Sequence, residues 1–267
     1  MKHKLFCLLV FVLGFSFYSC KKTSTSPETP QAQNTAARYY PGNAGSRFVY
    51  SYDSTGGGAV TGLPTRTTVF MGNQNIGGVD YLKQVSVLKL GPDSVVNTMF
   101  FRRTDTGVFF YVDTTGLSKF FPDSIRSQLT LQIDKEIQAF SINLDASYPW
   151  PAYKMSIKYG ALLSFTIIDL TAYYQGSETL NLNLTTGQTA KKAEKIKYEF
   201  KLSIPDLSNP LTQKTRTFDA FVWYVQDVGM VKFQGNGTIL GALSGNGIDF
   251  ADTTRNISQN LVSYDIK

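Results

Sequence analysis

The sequence predicts an all-β fold: an antiparallel meander forming a curved sheet, an open barrel or a β-sandwich, with at most one or two short helices. Three observations predict it. Aromatic residues make up 13% of the chain and charged residues only 17%, and Tyr, Phe, Thr and Val are abundant; these residue types fit a pleated, half-buried surface. Strand-like runs recur roughly every 8 to 15 residues with turn residues between them, the spacing of meanders, sandwiches and barrels. Long Ala/Glu/Leu stretches of helical period are absent.

The domain begins at Arg38; after a turn made by Pro41-Gly42-Asn43 and Gly45-Ser46, Phe48, Tyr50 and Tyr52 alternate with Val49 and Ser51. Further strands are predicted over Thr65 to Met71, Val79 to Leu90, Thr98 to Thr104 and Val108 to Asp113. They are separated by Gly77-Gly78, Gly91-Pro92-Asp93 and Asp105-Thr106-Gly107, which are turn signals. The Asp105-Thr106-Gly107 turn lies between two apolar runs and marks a hairpin. From Leu117 to Ala139 the pattern blurs, and Ile125 to Ile133 fits a short helix or a strand. Asp145 to Pro151 is a break.

Tyr153 to Gly160 and Leu162 to Tyr174 suggest two long strands or one bent at Gly160-Ala161, continued by Thr179 to Leu184. Ala193 to Ile204 alternates cleanly: Ile196, Tyr198, Phe200 and Leu202 fall on one side and Lys195, Lys197, Glu199 and Lys201 on the other. One face is therefore expected inside and one in water. Arg216 to Val225 and Gly229 to Gln234 form a second hairpin around Gln226 to Gly229, and Thr238 to Leu243 and Asn260 to Ile266 complete the predicted strands.

The N-terminus carries a different signal. Met1-Lys2-His3-Lys4 is basic, Leu5 to Phe17 is apolar, and Ser19 precedes Cys20. A basic start, a short apolar core and a small residue before the cut read as a secretory signal over residues 1–19. The apolar run is 13 residues long, short of the roughly 20 that span a bilayer as a helix. The chain has two cysteines, and Cys7 would leave with the signal. With no disulfide framework available to the exported domain, Cys20 is the candidate site of lipidation. Two or three acyl groups give stable anchoring where one chain is marginal. Residues 20–37, rich in Thr, Ser, Pro, Gln and Ala, have too little apolar surface to offset their ordering entropy and are expected to be a flexible tether. Residues 38–267 are then expected to be one β domain, because no proline-rich or charged linker divides them.

Three segments carry a resemblance. The 17–22 region, Phe17-Tyr18-Ser19-Cys20-Lys21-Lys22, resembles the looser lipoprotein signals of Bacteroidota. Tyr40-Pro41 through Gly45, Phe48 and Tyr50 resembles the Tyr-x-Pro…Gly-x-x-Trp-x-Tyr opening of Bacteroidota lipoproteins of unknown function, with Phe48 where tryptophan is usual. Val222 to Lys232 resembles their closing Gly-Val-Gly-x-Val-Lys pair, with Asp227 in place of the first glycine. The resemblance implies a curved-sheet envelope protein of a kind that carries lipids or lipoproteins. The lysines after Cys20 lack the acidic pattern of surface export, so an outer-membrane anchor facing the periplasm is expected.

Composition excludes several chemistries for the exported domain. The sole histidine is His3, so Ser-His-Asp and Cys-His nucleophilic catalysis and His- or Cys-based zinc sites are excluded after the signal is removed. No enzyme activity, cofactor or metal is expected. The formal charge of +6 falls to +4 without Lys2 and Lys4, too mild for nucleic-acid binding. Asp145, Asp169, Glu178, Asp219 and Asp227 are carboxylates that a glycan hydrolase could use, and Asp145 with Tyr148 and Trp150 is the candidate sugar contact. The oxygen-rich run from Asn246 to Asp252 could hold calcium, although turn chemistry explains it as well. Gly235 to Gly241 resembles a nucleotide loop only superficially, since no following helix is expected. Lys191, Lys192, Lys195, Lys197 and Lys201 could meet anionic lipid or glycan, or simply wet a strand face and protect an edge.

Three functional readings follow. The first is a structural or interaction lipoprotein with an envelope protein or polysaccharide partner. The second is a binder of an acyl chain or other apolar ligand on a concave sheet face, and the third, less favoured, is a carboxylate-based glycan hydrolase.

Overall fold

Inward and outward residues alternate over the packed parts of the strands, which form one continuous antiparallel sheet of thirteen strands, a curled half-barrel. The computed structural model describes residues 36–55, 64–114, 129–159, 163–206, 209–244 and 254–267. The expected signal peptide, Cys20, most of the expected tether and the Asn246–Asp252 run lie outside the described residues.

The elements in chain order are α1 (Ala36–Tyr39), β1 (Arg47–Thr55), β2 (Thr65–Ile76), β3 (Val79–Leu90), β4 (Asp93–Arg103), β5 (Gly107–Tyr111), β6 (Leu129–Ile133) and β7 (Glu136–Ser141). They continue with β8 (Trp150–Tyr159), β9 (Leu163–Leu184), β10 (Gly187–Asp206), β11 (Asn209–Val225), β12 (Gly229–Asn236), α2 (Gly237–Ser244) and β13 (Asn256–Asp265). The sheet order is β6-β8-β9-β10-β11-β12-β13-β1-β2-β3-β4-β5-β7. Two meanders, β8 to β13 and β1 to β5, are joined where the last strand pairs with the first, Arg47 opposite Asp265.

β6 and β7 are consecutive in the chain yet stand at opposite ends of the sheet. One extended segment pairs with β8 up to Ile133, breaks at Asp134-Lys135, and then pairs with β5 from Glu136. The backbone N–H of Val112 donates to the Lys135 carbonyl, and that of Asp134 to the Lys154 carbonyl. The same stretch thus brings the two edges of the sheet together. This division of one segment between two neighbours explains why the pattern before Ala139 reads ambiguously; Ile125 to Gln128 lie outside the described residues, and the remainder of that candidate is strand.

The inner face is filled by side chains. Tyr198, Phe70, Phe101, Phe140, Phe200 and Phe233 are the largest fully buried ones. Along β10, Ile196, Tyr198, Phe200 and Leu202 are all buried, as the alternation predicts. Phe101 meets Tyr40, Phe70 and Phe110 at ring-centroid distances of 4.9, 4.9 and 5.8 Å, a geometry that adds to burial. α1 begins at Ala36, which is buried, so packing starts just before the expected start of the domain at Arg38.

One element differs in kind from expectation. Thr238 to Leu243 is not a strand but lies within α2, a helix with Ile239, Leu240, Ala242 and Leu243 buried. An unbroken apolar run carries no period that separates a buried strand from a buried helix. The local determinant is Asn236, whose side-chain oxygen accepts the backbone N–H of Thr238 at 2.9 Å and caps the first turn. A helix therefore does follow Gly235, contrary to the expectation. β13 nevertheless returns antiparallel to β12, so the parallel unit that a dinucleotide loop needs is missing.

The other long elements run further than the alternation shows. β9 is continuous for 22 residues, and its register against β10 slips where Gly176 adopts a φ of +90°. That bulge lets two strand patterns in the sequence join as one bent strand.

Candidate functional site

The sequence-predicted sugar contact is spread between surface and core. Asp145 is exposed and its carboxylate accepts the Ser147 backbone N–H at 2.8 Å, shaping the turn before β8. Tyr148 is 67% exposed, whereas Trp150 is 8% exposed and its indole N–H donates to the Gln138 carbonyl at 3.1 Å. The Trp150 ring packs inside, so of the three only Asp145 and Tyr148 present themselves to solvent.

The other candidate carboxylates are each engaged by side chains. Asp169 accepts the Thr171 hydroxyl, Glu178 accepts the Trp223 indole N–H, and Asp227 accepts two N–H groups of Arg38. Asp219 lies opposite Glu199 across β10 and β11, and Lys197 approaches them at 3.2 and 3.8 Å respectively. Lys201 completes this ladder at 2.8 Å from Glu199 and, ahead of burial and Lys197, holds its carboxyl below the usual range. A carboxylate kept ionised in this way is poorly suited to donate a proton as a glycosidase acid. Among the described residues no group of three or more His, Cys, Asp or Glu side chains is placed to hold a metal ion.

The lysine run is likewise divided. Lys191 and Lys192 are exposed, Lys197 and Lys201 are paired as above, and Lys195 lies 4.9 and 5.1 Å from the Phe221 and Trp223 ring centroids. Lys232 lies 4.6 Å from the Trp223 ring as well. These cation–π contacts anchor the outer face of β10 to β12.

The most unusual chemistry is inside, at a residue the sequence does not single out. Arg66, on β2, is only 5% exposed. It is opposite Tyr50 in the register, and its guanidinium lies 5.0 Å from that ring. Among the described residues its Nε has no hydrogen-bond partner. Burial lowers its pKa, and the groups that oppose this are the phenols of Tyr50, Tyr40 and Tyr52, none of them a carboxylate. Arginine does not escape a dry site by losing its proton. A cation–π contact is worth about 0.5–2 kcal/mol, while burying an unpaired ion costs several kcal/mol, so the ring alone does not offset the burial.

Neutral polar groups surround it. Tyr40 donates to Gln84 Oε1 at 2.7 Å, Gln84 donates to the Met99 sulfur at 3.3 Å, and Thr68 and Ser86 share a hydroxyl bond of 2.9 Å. Tyr50 donates to the Met230 carbonyl at 3.2 Å, and burial pushes its pKa up to about 12. Gln259, opposite Tyr52 on β13, is fully buried, and among the described residues neither side-chain amide atom has a partner. A small cavity lined by Tyr40, Phe48, Tyr50, Arg66, Thr68 and Gln84, among others, has room for about one water-sized body. In the sequence the only trace of this site is the alternation Arg66-x-Thr68-x-Phe70, which sets the arginine on the same side as a large aromatic.

The fold and these contacts define an all-β protein with a single curled antiparallel sheet and a filled, partly polar interior. No known protein family matches the chain, and no curated protein matches it in sequence. Two solved structures are similar to it. One is a presumptive lipoprotein of Parabacteroides distasonis, at 11% identity and a TM-score of 0.43, covering 85% of this chain and 98% of that one. The other is a presumptive exported protein of Bacteroides fragilis with a YmcC-like fold, at 11% identity and a TM-score of 0.43, covering 84% of this chain and 97% of that one.

Proposed function

We propose that this protein is a lipid-anchored envelope lipoprotein whose β domain is a non-catalytic structural or interaction module, joined through Cys20 to the outer membrane and facing the periplasm. The observation that carries the domain reading is the filled inner face: the curved sheet encloses its own aromatic side chains and α2. An acyl chain needs a continuous apolar chamber of several hundred Å³, and the cavity beside Arg66 has room for about one water-sized body. Among the described residues this filled interior favours a partner, whether envelope protein or polysaccharide, taken on the outer surface. The paired carboxylates weigh in the same direction against glycan hydrolysis.

The anchoring half of the proposal rests on the basic start, the apolar core and the Ser19-Cys20 junction. Cys20→Ser is expected to move the protein from the membrane fraction to the soluble fraction and to abolish incorporation of radiolabelled palmitate. Each acyl chain adds about 0.8 kcal/mol per buried CH₂, so losing all of them leaves little to hold the domain at the bilayer. Retention of label by the serine variant, or an unlabelled wild-type chain, would refute the anchor.

A further inference from the structure

We propose that the cavity beside Arg66 binds one small monovalent anion of halide size. The guanidinium is buried in the sheet and lines this cavity, and among the described residues its Nε has no hydrogen-bond partner. Among the described residues no carboxylate pairs with it, and the groups acting on its charge are the neutral phenols of Tyr40, Tyr50 and Tyr52. Two of those phenols direct their protons elsewhere, Tyr50 to the Met230 carbonyl and Tyr40 to Gln84, so these two are not poised to become the counter-charge. A permanently charged side chain in such a place needs a negative partner.

Size selects among anions. Room for about one water-sized body excludes sulfate, phosphate, sugars and acyl carboxylates with their chains, and admits a single atom. Chemistry selects further, because a guanidinium is weakly hydrated and is best matched by an anion that gives up its water readily. Bromide and chloride are therefore bound in preference to fluoride.

The test uses the mature lipoprotein in detergent, melted in sodium gluconate, fluoride, chloride or bromide at matched ionic strength. Screening is the same in all four, whereas a bound ion stabilises the folded state in proportion to the logarithm of its concentration. Chloride and bromide are expected to raise Tm by about 5–11 °C at a hundredfold excess over Kd, with fluoride resembling gluconate. Arg66→Met is expected to lose the difference between salts. Equal midpoints in all four salts for the wild type, or a halide response that survives in Arg66→Met, overturns the proposal. Should that variant fail to fold, crystals of the wild type grown in bromide decide the matter. An anomalous peak within hydrogen-bonding distance of the guanidinium supports the site, and a water or a carboxylate of the chain in that position overturns it.

Discussion

Replacing Phe101 by alanine is expected to destabilise the fold by about 3–5 kcal/mol, the range for deleting a fully buried phenylalanine ring. Phe101 is 0% exposed and joins Tyr40, Phe70 and Phe110 into one aromatic cluster. Three different segments meet there: the residues after α1, β2, and the β4–β5 hairpin. Rings held by three segments have little freedom to collapse into the space left behind, so the cost should fall in the upper part of the range. For a domain of this size the loss corresponds to a Tm lower by roughly 6 to 20 °C, read by circular dichroism. A shift of under 2 °C would show that the cluster does not hold these segments together.

Gly235→Ala is expected to produce the second large loss. Gly235 has a φ of +143°, and a Cβ placed there would lie 2.4 Å from the Ala220 Cα and 2.6 Å from the Asp219 carbonyl oxygen. Both obstacles are backbone atoms of the neighbouring strand, so no side-chain rotation relieves them. The conformation alone costs an ordinary residue about 1–3 kcal/mol, and the clash forces β11 and β12 apart where α2 begins. Gly187 makes a useful control, since it also has a positive φ, +122°, but open space around it. Gly187→Ala should therefore show the conformational cost without the clash. Equal denaturation midpoints for the two variants would contradict the role given to close strand packing at Gly235.

The parts of the fold that are legible in the sequence are those whose two faces differ. Ile196 to Leu202 alternate with lysines and glutamate, and Phe48, Tyr50 and Tyr52 alternate with Val49 and Ser51, so each reveals both its period and its buried side. Gly77-Gly78 and Gly91-Pro92 mark real turns for the same local reason. Where the determinant is not local, the reading fails. Thr238 to Leu243 is apolar throughout, and only the cap from Asn236 tells helix from strand. The segment before Ala139 changes neighbours at Asp134-Lys135, which no period can show.

The candidate site illustrates the same divide. Trp150 looks like a sugar platform beside Asp145 because sequence neighbours suggest a shared surface, yet its indole is turned inward to Gln138. Arg66 is inconspicuous because arginine in a strand normally faces water. Its burial follows from β1 lying between β2 and β13 in a curling sheet, a pairing between the two ends of the domain.

The most direct test of the central claim, an acylated chain around a filled interior, is native mass spectrometry of the mature protein from envelope membranes, paired with organic extraction. The account predicts the mass of the chain from Cys20 onward plus covalent acyl groups that resist extraction, with no stoichiometric lipid released. A chain lacking acyl mass, or one that yields a lipid in one-to-one amount on extraction, would contradict it.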